Sequence, residues 1–454
     1  MIMGNIESKK LIRSETKFIV PFSYIEGKHG IDFEKFIDSC STPIGAWKFD
    51  DSANINHARY LLSYVNKDLK RCTNYHFQAT SPDFYSRYHL YSEFDADKGS
   101  CYEFELLDVS LKFFSTGIGM IIFSIIYPET VDLKQIINIS ADLSRFYRND
   151  EDREYIDSRN QTTKINKAKV KIQDINGTQI SFARLLKTTL QIEDNNNQSI
   201  GIKLFLGTEN KRTFVFQRVV GKAIDEDLFN LQDNLWSGLP SDGSLEQIKL
   251  GTGHFCLAST KTMCHITTTK VESAGDLLRQ KNINVSYFLM YLLLIHEQQV
   301  LFMYYEQVID FMSKDINTER SKKNFKKARI LKKNLLKCLT DYSFEVISEE
   351  KYYQNVYLKY RELLSLKALE GDIGDLVNAI NDELTSRRDG FINALFGLIT
   401  IFGIVSVLSD IGSVVGFFST SAMAQKVSVV IVLILLAIIG LIIYLIRKLS
   451  EWND

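Results

Sequence analysis

The sequence predicts an α+β N-terminal domain, a long-helix stalk and two C-terminal transmembrane helices, on three observations. First, two apolar stretches, 391–408 and 427–446, stand near the C-terminus, the second without a single charge. At about 1.5 Å rise per residue, twenty helical residues cross a hydrocarbon core of about 30 Å. Both are expected to be helical, because a helix satisfies its own backbone groups in lipid. Second, all five prolines (Pro21, Pro43, Pro82, Pro128 and Pro240) fall in the first 240 residues. A proline inside a helix costs about 3 kcal/mol, so the proline-free remainder suits long helices. Third, the first 280 residues mix runs of β-formers with glycine turns and short helical spacings. The expected division is 1–283 as an α+β domain, 284–390 as stalk, 391–446 as membrane domain and 447–454 as tail.

Charge patterning orients the hairpin. Arg387 and Arg388 precede the first stretch, and Arg447 and Lys448 follow the second. Basic residues stay on the cytoplasmic side, so both termini are expected inside, with 409–426 facing out. Trp452 is placed as an interfacial anchor. Residues 1–17 are polar and mixed in charge, so no signal peptide is expected there. The enrichment in Lys, Asn, Ile and Asp suggests a bacterial chain, and the expected location is the bacterial inner (cell) membrane, multi-pass. A net charge of −1 gives no whole-molecule case for nucleic-acid binding. Six cysteines without a CxxC pair suggest reduced, mostly buried thiols.

Taken in order, 17–24 reads as a strand, and 31–39 and 54–64 have helical spacing, with Ser52 as a cap for the second. Residues 102–114 and 120–127 are rich in β-formers around Ser115-Thr-Gly-Ile-Gly119, which predicts a hairpin. Pro128 ends it, and an amphipathic helix follows over 131–147. The polar, charged segment 149–164 reads as a loop. A second hairpin is expected over 169–182, turning at Asn176-Gly177, with further strands at 201–206 and 213–220.

From about 284 the pattern becomes helical. The apolar run 285–295 meets His296-Glu-Gln-Gln299 after eleven residues, so a buried helix is preferred to a third membrane segment. In 319–337 nine Lys or Arg residues follow Glu319 with no acid among them, while Phe325, Ile330, Leu331, Leu335 and Leu336 share roughly one face. This is either a solvated amphipathic helix or an anion-binding or acidic-lipid face. Leu366, Leu369, Ile373, Leu376, Ile380 and Leu384 are spaced close to an a/d seam, which implies self-association. A helix unbroken from 350 to 408 would be about 85 Å long. Gly371 and Gly374 are the expected place for a bend, at about 1 kcal/mol each.

With these elements the layout resembles the CorA magnesium-transporter superfamily: a funnel of an α/β domain, a stalk helix running into the first membrane helix, then a second membrane helix. The resemblance implies a homo-oligomer, a pentamer, with the first membrane helices around a pore. The segment Leu398-Ile-Thr-Ile-Phe402 is similar to that family's first membrane helix. The family's Gly-Met-Asn is absent, and Ser409-Asp-Ile-Gly-Ser-Val-Val-Gly416 stands in its place. Loss of that motif resembles the CorA-like effectors of type III CRISPR systems, as do Phe113-Phe-Ser-Thr-Gly-Ile-Gly119 and the Tyr-Phe-Leu helix near 287. That likeness implies antiviral defence through a nucleotide second messenger, SAM-AMP (an adduct of S-adenosylmethionine and AMP), acting on membrane integrity or ion flux. A divergent divalent-cation (Mg²⁺) transporter and a membrane-anchored binding scaffold remain alternatives.

At 100° per residue, Asp389, Asn393, Phe396, Gly397, Thr400, Ile404, Val407 and Ile411 share one helical face. In an oligomer, Asp389 and Asn393 would ring an inner vestibule, and Ile404, Val407 and Ile411 would form an apolar gate. The competing reading has Asn393 and Thr400 bonding between packed helices. Asp410 is placed at the outer mouth. For the messenger, Arg145, Arg148, Arg153 and Arg159, interleaved with Phe146, Tyr147 and Tyr155, offer basic donors and flat apolar faces. His254, Cys256, Cys264 and His265 match no common structural-zinc spacing, so no metal site is assigned. No nucleophile–base signature is present, and the chain is not read as an enzyme.

Overall fold

The computed structural model describes residues 11–24, 45–50, 60–69, 72–85, 87–92, 101–128, 131, 133–144, 153–156, 162–165, 170–173, 179–180, 202–204, 213–221, 245–251, 254–268, 274–314, 329–336, 339–340, 343–380 and single positions between 382 and 406. The chain forms two compact units, one of 1–300 with 340–367 and one of 301–339 with 368–454.

The first unit is built on a sheet of thirteen described strands. Its elements in order are β1 (Leu11–Tyr24), β2 (Gly45–Phe49), α1 (Ser63–Leu69), β3 (Thr73–Ala79), β4 (Arg87–Ser92), β5 (Cys101–Phe113), β6 (Ile118–Tyr127) and α2 (Leu133–Ser144). A separate two-stranded ribbon, β7 (Arg153–Ile156) with β8 (Thr162–Ile165), comes next. The sheet resumes with β9 (Val170–Gln173), β10 (Gln179–Ile180), β11 (Ile202–Leu204), β12 (Phe214–Gly221), β13 (Glu246–Gly251), β14 (His254–Ala258) and β15 (Thr262–Thr268). Then come α3 (Ala274–Lys314) and α4 (Lys351–Leu363).

The strand order is β10-β9-β4-β5-β6-β1-β12-β15-β14-β13, with β3 also on β5 and β2 on β3. All these pairs are antiparallel except β12 with β15. One face of the sheet is apolar. Phe18, Val20, Leu111, Ile121, Phe123, Ile125 and Val215 point into a core that Ile136, Ile137, Ile139 and Leu143 of α2 close. Burying each such side chain stabilises by about 1.5–3 kcal/mol, which makes this face the principal support of the unit. Within it, Tyr127 Oη bonds Thr16 Oγ1 at 3.0 Å and Ser140 Oγ at 3.2 Å, so the phenol is not stranded.

The hairpin expected over 102–127 is β5–β6, turning at 114–117 with Gly117 at φ 90°. The hairpin at 169–182 is β9–β10, and β1, β11, β12 and α2 fall where strands and a helix were expected. The expected helices 31–39 and most of 54–64 lie outside the described residues. Where 54–64 is described it is corrected: 60 is turn, 61 is bend, 62 is irregular, and the helix runs over Ser63–Leu69. Leu62 N–H donates to Ile347 O at 2.8 Å, and this long-range bond ties residue 62 outside any helix. The polar segment 149–164 is not wholly loop. Tyr155 and Ile156 pair with Thr163 and Thr162, showing that β-formers among charges suffice for a ribbon.

The long helix is also corrected. It does not run unbroken from 350; α4 ends at Leu363, and helix resumes over 366–380. The break falls at Ser365, whose φ of 53° is left-handed, and not at Gly371 or Gly374, which stay helical. Tertiary bonds stop α4 there: Tyr360 Oη donates to Thr262 O at 2.5 Å and Arg361 Nη1 to Phe344 O at 2.7 Å. Leu364 N and Ser365 N return to Tyr360 O and Glu362 O, both at 2.9 Å, as at a left-handed helix C-terminus.

In the second unit, Leu331 and Leu335 are buried one turn apart, whereas Ile330 and Leu336 are exposed, so the described apolar stripe is narrower than the sequence suggested. Along 373–380, Ile373, Val377 and Ile380 are buried, and Leu376 of the expected seam is only partly so. Val285–Ile309 of α3 is the only helix among the described residues long and apolar enough to cross a membrane, and 83% of its most apolar window is buried.

Candidate ligand cavity

Strand alternation puts every second residue of the central strands on the sheet's other face. There the sequence supplies charge: Glu15 and Lys17 from β1, Ser124 from β6, Asn74 and His76 from β3, Asp108, Ser110 and Lys112 from β5, Arg218 from β12. In β5 this works only because of a bulge. Phe104 and Leu106 enter the apolar core, and so do Val109 and Leu111, three residues further on in place of two. The register shifts between Leu106 and Asp108, leaving Leu107 exposed and turning Asp108 to the charged face.

This face is roofed. Val285, Phe288, Leu289 and Leu292, at i, i+3, i+4 and i+7 on α3, present one helical stripe above it. Between floor and roof lies a cavity of ≈ 310 Å³, at the lower end of the range of small-molecule sites, about 300–1,000 Å³. Phe114, Phe216 and Phe288 supply flat walls, and Phe216 and Phe288 meet edge-on at 5.3 Å. Cys72, a thiol outside any disulfide, and Asp50 also line it.

Most of the charge in the cavity is paired internally. Lys17 Nζ lies 2.8 Å from Glu15, donates to Ser124 Oγ at 3.0 Å, and sits 5.2 Å from the centre of the Phe288 ring. His76 is held between two carboxylates, Nε2 at 2.6 Å from Asp50 and Nδ1 at 3.1 Å from Asp108. The Asp108 hydrogen bond, helped by both negative charges, raises the imidazole pKa above its ordinary value against the opposing effect of burial.

Lys112 differs. Its ammonium donates to Asn74 Oδ1 at 2.6 Å, a neutral partner, and among the described residues it forms no ion pair. Burial pushes its pKa down, against the opposing effect of Cys72, Asp50 and Asp108, and the charge of Lys17 adds a little to the lowering. A cation held in a cavity by a neutral partner is an arrangement that an incoming anion would complete. Ser110, Ser124 and Asn74 add hydrogen-bonding groups around it.

Of the residues expected from sequence to bind ligand, Arg145, Arg148 and Arg159 lie outside the described residues. Arg153 begins β7, paired with Ile165. Among the residues expected from sequence to line a pore, Asn393, Phe396 and Thr400 are helical and exposed in the single chain, and Thr400 Oγ1 donates to Phe396 O at 2.9 Å. That bond satisfies the hydroxyl within its own helix. Asp389, Ile404, Val407, Asp410 and Ile411 lie outside the described residues.

The His/Cys cluster is divided by strand parity. His254, Cys256 and His265 lie on the face toward α3, while Cys264 points into the apolar core. His254 Nε2 and His265 Nδ1 approach to 3.4 Å, and burial lowers the pKa of His254 to about 4. Among the described residues no group of His, Cys, Asp or Glu is arranged to hold a metal ion.

Single residues of the cavity carry no sequence signature, since Lys112, Asn74 and His76 are ordinary surface types. The signal available was polar residues at alternate positions of strands whose other positions are wholly apolar. Comparison with models of known families, with characterised proteins and with solved structures yields no match for this chain.

Proposed function

We propose that this protein is a ligand-gated membrane effector: a small anionic ligand enters the cavity of the sheet domain and changes the behaviour of a C-terminal membrane hairpin, 391–446. The observation that carries the reading is Lys112, a cavity-facing ammonium with a neutral partner beneath aromatic walls. A nucleotide suits such a site, its phosphate taking the ammonium and its base lying against Phe114, Phe216 or Phe288. The CorA-like layout makes SAM-AMP the first ligand to try, and type III CRISPR defence the setting. On this reading the protein is a homo-oligomer, a pentamer, in the bacterial inner membrane with both termini cytoplasmic, and Asn393 and Thr400 face its pore. Gating is a population shift, so the ligand must bind the open state more tightly than the closed one.

The test uses the full-length protein in lipid nanodiscs and liposomes. SAM-AMP is expected to bind, raise thermal stability and alter ion flux, with ATP and Mg²⁺ alone as comparisons. Lys112→Met is expected to weaken binding at least tenfold. Flux of Mg²⁺ that ignores every nucleotide would overturn the reading in favour of a divalent-cation transporter, and silence under all conditions in favour of a scaffold.

A further inference from the structure

Four consecutive polar residues of α3, His296, Glu297, Gln298 and Gln299, are all buried, at 0%, 2%, 3% and 6% exposure. Successive helical residues point about 100° apart, so such a run sends polar groups in different directions at once. Apolar residues of similar volume would be as stable here or more so, which makes the layer costly unless it transmits something.

Its contacts lead from the cavity to the end of α4. His296 stacks on Phe114, ring centres 4.0 Å apart and 20° from parallel, and Phe114 is itself a cavity wall. His296 Nε2 also lies 2.7 Å from Thr116 Oγ1 in the β5–β6 turn. One residue on, Glu297 pairs with Arg361 of α4 at 3.0 Å. One further on, Gln298 Nε2 donates to Leu364 O at 3.5 Å, beside the left-handed Ser365. The cavity roof ends at Leu292, one turn before His296 on the same helix.

We infer that residues 296–298 report occupancy of the cavity to the turn at Leu364 and Ser365, where the chain leaves α4 for the helix 366–380. The proposal rests on the cavity being the ligand site. A ligand that displaces Phe114 or α3 shifts His296, and with it the two neighbours that hold Arg361 and Leu364 O. Ser365 supplies the second state: a non-glycine residue at positive φ has the ordinary helical region as its alternative. Passage of Ser365 to that region would join α4 to the following helix.

The test reads amide hydrogen exchange of Leu364 and Ser365 in full-length protein in nanodiscs, with and without SAM-AMP. The cavity is also filled without ligand by Ser110→Trp and, separately, Ser124→Trp, each checked for folding by its thermal melt. Ligand or filler is expected to change exchange at these amides at least fivefold. His296→Gln and Thr116→Val are expected to cut that change below twofold while ligand affinity stays within threefold. Unchanged exchange in folded filler variants, or full transmission through both His296→Gln and Thr116→Val, overturns the inference. Should SAM-AMP fail to bind, the proposed function falls, and the filler variants still decide the relay.

Discussion

Along β6, Ile121, Phe123 and Ile125 enter the core under α2, while Ile122 and Ser124, between them, face the cavity under α3. The same alternation divides β1, where Phe18 and Val20 oppose Glu15 and Lys17, and β12, where Val215 opposes Phe216. One side of these strands holds hydrocarbon closed by a helix. The other holds charge beneath a helix, with space left between. Stability and chemistry are thus separated by a single residue step, and substitutions at adjacent positions should have effects of different kinds.

The largest expected effect lies on the apolar side. Phe123→Ala empties a fully buried ring site and should cost about 3–5 kcal/mol in chemical denaturation. Equal loss from Ser124→Ala would break the distinction between the faces. Gly119→Ala follows: a Cβ there would stand 2.3 Å from Phe22 Cζ, so the ring must move, at about 1–3 kcal/mol. Lys112→Met, on the charged side, reverses the sign. Removing a buried ammonium whose hydrogen-bond partner is the neutral Asn74 should stabilise the fold by about 1 kcal/mol while weakening binding of the proposed nucleotide at least tenfold. Loss of stability together with binding would make Lys112 a structural residue.

The smallest effect concerns His76. Its raised pKa means that its contribution to stability is complete below the unfolded value near 6.5 and is lost as pH rises through the folded value. NMR titration should place its midpoint above that of a free histidine, and Asp108→Asn should lower it. An unmoved midpoint would detach Asp108 from the pair.

How much of this was legible follows from the range of the forces involved. The β5–β6 hairpin announced itself through Gly117 and its flanking β-formers, a local signal. The Asn176-Gly177 dipeptide in the sequence did the same for the pairing of β9 with β10. The cavity did not, because Asn74, Lys112, Lys17 and Arg218 come from four strands joined by pairings far apart in sequence. Simple alternation through β5 even assigns Asp108 to the core side, since nothing local marks Leu107 as an extra residue. The end of α4 was hidden for a related reason: Ser365 is a mild helix former, and the bonds that stop the helix reach Thr262 and Phe344.

The β5 bulge has a consequence beyond its own strand. On the edge away from β6, residues 101–105 of β5 pair with β4 and residues 110–113 with β3, so the strand serves two neighbours either side of Leu107. The fork brings Asn74 and His76 beside Lys112 and Ser110. A one-codon deletion at Leu107 would restore a regular ladder and shift these two halves against each other by one residue. Related chains can therefore be sorted by length at this point: those keeping the insertion should keep the charged floor and respond to nucleotide. Those lacking it should carry a different ligand set, whatever the composition of the rest of the strand.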